Sequence, residues 1–135
     1  MTLKECYDAL GGNYEDTVRR LYNEKLVEKF LFKFEEDPSF ENLKKALEEE
    51  NLEAAFRAAH TLKGVAQNMG FDNLAESSSV LTEALRSRKV MPYAEQIEGV
   101  CEDYNKIGSI IFFVGLTLPR YRFSKPSASL DMNLR

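Results

Sequence analysis

LEAAFRAAHTLKGVAQNM, residues 52–69, sorts its side chains onto two faces when wound as a helix. At about 100° per residue, Ala55, Ala58, Leu62, Val65, Ala66 and Met69 share one stripe. His60, Lys63, Gly64 and Gln67 fall on the face opposite it. Asn51 stands where an N-cap is needed, and Gly70 stands where a helix of this length ends. A helix with one apolar stripe is stable only when another element covers that stripe. The rest of the chain therefore decides what kind of core this is.

Working outward, the same period recurs and period-two alternation does not. Toward the N-terminus, Phe40, Leu43 and Leu47 line a shorter helix, and Asp37-Pro38-Ser39 breaks the chain before it. Asn13 caps an expected long helix over 14–36, with Val18, Leu21, Tyr22, Leu26, Phe30 and Phe34 as its stripe. Thr2 and Glu5 form a capping box for a first short helix that stops at Gly11-Gly12. Toward the C-terminus, Leu74, Ser78, Leu81 and Leu85 line the next helix. Pro92 suits the first turn of a last one, with the stripe Ile97, Val100, Cys101, Tyr104, Ile107, Ile111 and Val114. Short connections between long amphipathic helices make antiparallel neighbours. The expected fold is all-α: an antiparallel up-down four-helix bundle with additional short helices, spanning residues 1–116. Residues 117–135, with Pro119 and Pro126, are expected as an irregular tail. Within it Tyr121, Arg122 and Phe123 form either an arm on the bundle or part of a loose terminus.

Composition narrows the function classes. The chain has 135 residues, enough for one core, with 44% hydrophobic and 30% charged residues. A net charge of −4 argues against a nucleic-acid binder. Cys6, Cys101 and His60 are its only cysteines and histidine, too few in the wrong spacing for a zinc site. The most apolar run, Ile110 to Leu118, is too short to span a bilayer, and the N-terminus has no apolar run of signal-peptide length. A cytoplasmic protein without membrane contact is expected. Neither a phosphate-binding GxxxxGK[ST] loop nor a GxGxxG turn is present, so the chain has no ATP site of its own.

His60 is the candidate centre. A solvent-facing imidazole offers a ring nitrogen to a phosphoryl donor without help from a base. Phosphoryl transfer then needs chiefly positioning and charge neutralisation. Lys63, one turn on, places an ammonium beside the ring. Gly64 costs the helix about 1 kcal/mol relative to alanine and faces outward, where core packing cannot require it. A missing side chain there lets a partner come close. Gln67 shares the face and can hydrogen-bond the ring. Phe56, one turn before His60, either folds onto the neighbouring helix or belongs to a docking patch.

Ala59-His60-Thr61-Leu62-Lys63-Gly64-Val65-Ala66, followed by Met69-Gly70-Phe71 and Leu74, closely resembles the signature of histidine-containing phosphotransfer (HPt) domains. The resemblance implies a four-helix bundle whose His60 exchanges a phosphoryl group with an aspartate of a response-regulator receiver domain. It implies that Lys63 helps hold the group and that Gly64 clears the docking surface. It points to Thr82, on the next helix, as the counterpart of a residue that hydrogen-bonds the histidine. A threonine is shorter than the family's usual glutamine or glutamate, and Gln67 is the alternative. Arg86, a turn beyond Thr82, is either a second cation for the phosphoryl group or a solvated arginine near a helix end.

The reading is a stand-alone, monomeric phosphocarrier of a multistep two-component phosphorelay, fed by a hybrid sensor histidine kinase. No cofactor is expected; the magnesium ion belongs to the partner receiver domain. The alternative is a helical adaptor that binds a signalling partner without phosphorylation. A hydrolase with His60 as base is disfavoured, because no Ser, Cys or acidic partner shares its face in triad order.

Overall fold

The computed structural model describes residues 2–87 and 94–117, with side chains through Val114. Among them the only regular structure is helical. The helices are α1 (Leu3–Ala9), α2 (Tyr14–Leu21), α3 (Glu24–Lys33), α4 (Ser39–Glu48), α5 (Leu52–Met69), α6 (Asp72–Arg86) and α7 (Ala94–Thr117), with a 3-10 turn at Phe34–Glu36 between α3 and α4.

Local chemistry sets most of the boundaries. The Thr2/Glu5 capping box forms as read. Asn13 and Asn51 accept from the backbone N–H of Asp16 and Ala54 at 3.0 and 3.1 Å, each covering an N-terminal donor that the helix leaves unpaired. At the end of α5, Gly70 takes φ +73°. Phe71 N–H then reaches back to Ala66 O at 2.9 Å and Gly70 N–H to Gln67 O at 3.2 Å, a Schellman cap. The same cap closes α4 with Glu50 at φ 56°, a left-handed position held by a residue with a Cβ.

The expected single helix over 14–36 is two helices and a 3-10 turn. The chain breaks at Tyr22, whose φ of 78° no helix accommodates, and restarts at Asn23, whose side chain accepts from Leu26 N–H at 2.9 Å. The restart changes which face looks inward. Val27, Leu31, Phe32 and Phe34 are buried, whereas Tyr22 and Phe30 are exposed and Leu26 is only half-buried.

The core draws buried apolar side chains from every helix but α2, which lays Tyr14, Val18 and Leu21 against it; α5 packs against both α4 and α6, and α6 against α7. Tyr104 of α7 stacks on Phe40 of α4, ring centroids 3.9 Å apart and planes 12° from parallel, so α7 also meets α4. The α7 stripe is buried at Val100, Ile107, Ile111 and Val114. At the α5–α6 turn, the buried Tyr7 hydroxyl of α1 donates to Met69 O at 2.8 Å, and Arg20 of α2 donates to Gln67 O at 2.8 Å. Helices α1 and α2 thereby brace the end of α5. Pro92 and the tail from Leu118, including Tyr121, Arg122 and Phe123, lie outside the described residues, and so does the question of an arm.

Candidate functional site

The face of α5 divides as its periodicity requires. Ala55, Ala58, Ala59, Leu62, Ala66 and Met69 are buried, Val65 is half-buried, and His60 and Gln67 are exposed, with Lys63 and Gly64 at the margin. Ala59 is the one buried member absent from the expected stripe. His60 sits near the middle of the 18-residue helix, where the backbone is held on both sides and the ring is presented from a rigid support.

Among the described residues the imidazole has one aromatic neighbour. Phe56, one turn earlier, lies nearly parallel to it, with ring centroids 6.2 Å apart and planes 9° from each other. Phe56 itself is half-buried against the core, and the Arg86 guanidinium of α6 rests over its ring at 5.1 Å. The two readings of Phe56 are therefore compatible: it folds onto the neighbouring helix and still borders the histidine.

Gly64 has open space around it. A Cβ added there would meet nothing within 4 Å. Among the described residues its missing side chain serves no contact, and the surface next to His60 is left free for an approaching group.

Lys63 and Gln67 line one shallow groove with Ala75, Glu76, Ser79, Val80 and Glu83 of α6. No hydrogen bond joins Gln67 to His60; its backbone carbonyl is the atom engaged, by Arg20. Arg86 does not reach His60 either. It is held by Glu83 in a two-pronged pair, Nε to Oε1 and Nη2 to Oε2, both 3.1 Å. That pairing, and then the positive charge of Lys63, hold the Glu83 carboxyl below its ordinary range.

Thr82 does not orient the histidine. It is fully buried, and its hydroxyl donates to Ser78 O in its own helix at 2.7 Å. Glu83, which was not singled out from the sequence, is the α6 residue that faces the site's cations. Its spacing of three before Arg86 is the signal that could have found the pair.

A rigid helix presents one exposed histidine, with a lysine one turn on and a bare glycine on the other flank, an arrangement that leaves the imidazole open to a small anionic group. The chain belongs to the Hpt domain family, whose model matches residues 25–110. Proteins of this family act as phosphocarriers in histidine phosphorelays, where they meet receiver domains and kinases. No curated protein and no solved structure matches this chain. No helix among the described residues is long and apolar enough to cross a membrane.

Proposed function

We propose that this protein carries a phosphoryl group on His60 between aspartates of receiver domains in a multistep two-component phosphorelay. The observation that carries the proposal is the pairing of an exposed His60 with the unfilled surface at Gly64 on one rigid helix. In the forward step a ring nitrogen of His60 attacks the phosphorus of a phosphoaspartate. The N–P bond forms as the acyl P–O bond breaks, and the aspartate leaves as a carboxylate. The return step is its reverse, onto a second receiver domain.

Lys63 would pair with the equatorial oxygens of the bound group, and Phe56 would wall one side of the ring. Gln67 borders the same groove and would lend a hydrogen bond to the phosphoryl oxygens or to the docked partner. The magnesium ion and the acceptor carboxylate belong to the partner, so this chain needs neither a cofactor nor a nucleotide site. The scaffold we propose is an up-down bundle of α4 to α7, joined at Glu49–Asn51 and Gly70-Phe71 by connections too short for anything but antiparallel neighbours. A hybrid sensor kinase upstream, a cytoplasmic setting and a monomeric carrier complete the reading.

Incubation with a phosphorylated receiver domain tests it. The wild type is expected to acquire phosphate that is acid-labile and base-stable, and His60→Gln is expected to acquire none. Label on the His60→Gln protein would overturn His60 as the carrying residue, and none on the wild type from any receiver domain of the source proteome would overturn the proposal in favour of a phosphorylation-independent adaptor.

A further inference from the structure

Arg86 and Lys63 both lie near one carboxylate. Glu83 grips Arg86 with both oxygens, and it lines the groove that Lys63 and Gln67 also line. Arg86 is in turn laid over Phe56, the ring that borders His60. As a surface ion pair three residues apart on one helix, Glu83–Arg86 contributes little to folding. Its link to Phe56, the ring that borders His60, gives the charge another effect.

We propose that Glu83 is a charge brake on the site, a positioning residue that holds Arg86 and offsets the charge of Lys63 while His60 is unloaded and must yield them when it is loaded. This rests on the phosphocarrier reading of His60. A phosphoryl group brings about two negative charges into the neighbourhood of a carboxylate that is already there. The two anions compete for the same two cations, and like charges repel through water within the screening length, about 10 Å at 0.1 M salt. A carrier that gripped its cargo with two free cations would receive it readily and release it poorly. With Glu83 in place the loaded state is held less tightly, which keeps transfer onward close to balance. The sequence offers the same logic: Glu83 is the only acid on α6 between Glu76 and the helix end.

The test loads His60 chemically, so that no partner need be known. With potassium phosphoramidate, a ring nitrogen of His60 bonds to phosphorus, the P–N bond of the donor breaks and ammonia leaves. Loading is followed by intact mass and by the 31P resonance of the phosphohistidine. At low ionic strength Glu83→Gln is expected to load about three to ten times faster than the wild type, while Glu83→Asp, which keeps the charge, stays near the wild type. The gap should close at about 1 M salt, where the screening length falls to about 3 Å. In an Arg86→Gln background the effect of Glu83→Gln should shrink, since one of the two contested cations is gone. Equal loading of wild type and Glu83→Gln at low salt, or a gap that persists at high salt, would overturn the brake and leave the carrier intact. A wild type that takes no label on His60 would overturn the carrier reading itself, and the brake with it.

Discussion

Gly64 is the residue at which the needs of the helix and of the site diverge. Alanine there is better for the helix by about 1 kcal/mol, and nothing within 4 Å obstructs its methyl group. Gly64→Ala is therefore expected to raise the melting temperature by a few degrees. The same methyl would stand between His60 and a docking partner, so phosphoryl transfer from a phosphorylated receiver domain is expected to slow by about tenfold. Thermal melts and transfer kinetics on one preparation check both halves. A lower melting temperature, or unchanged transfer, would show that the glycine is not there for access. His60, Lys63, Gly64 and Gln67 were legible because a single helix settles which of its residues share a face. The Arg86–Phe56–His60 succession was not, because it depends on how α6 lies against α5. The resemblance pointed to Thr82, and its burial had a signal in the sequence. It stands four residues after Ser78, and the period that put Ser78 inside puts Thr82 beside it.

At the scale of elements, the caps were readable and the break in the second helix was not. Thr2, Asn13, Asn51 and Gly70 each act through atoms a few residues away, so their effect is written locally. The stripe Val18, Leu21, Tyr22, Leu26, Phe30 satisfied a helical period across a point where the chain turns. The competing signal was Asn23 followed by Glu24, an N-cap and a first-turn acid in mid-stripe. A substitution separates the two descriptions by sign. If 14–36 were one helix, Asn23→Ala would stabilise it, because alanine is the better interior residue. With Asn23 capping α3 through its 2.9 Å bond to Leu26 N–H, the same change is expected to cost about 1 kcal/mol. Chemical denaturation with an unchanged m-value would read that difference cleanly.

For the molecule as a whole, Tyr7 shows how the N-terminal helices are tied to the site's support. Its ring lies against Tyr14 of α2 and Phe71 at the start of α6, with centroids 5.8 and 5.7 Å away, and its hydroxyl donates to Met69 O at the end of α5. One residue thus joins four elements around the turn that ends the histidine helix. Burial disfavours the phenolate and pushes the Tyr7 pKa well above the ordinary tyrosine value of 10.0. Such a group is neutral in both states below the unfolded value, so its contribution is fully present there. As pH rises past that value the unfolded chain gives up its proton while the folded chain keeps it, and stability falls. At neutral pH, Tyr7→Phe is expected to cost about 1 kcal/mol for the lost hydrogen bond, a cost tempered by Thr17, whose hydroxyl also lies 3.5 Å from Met69 O. Above about pH 10 the wild type should lose stability more steeply than Tyr7→Phe, so the gap between them narrows. Paired denaturation curves across that range decide the matter: a gap that stays constant would mean that the tyrosine ionises as freely in the folded protein as in the unfolded chain.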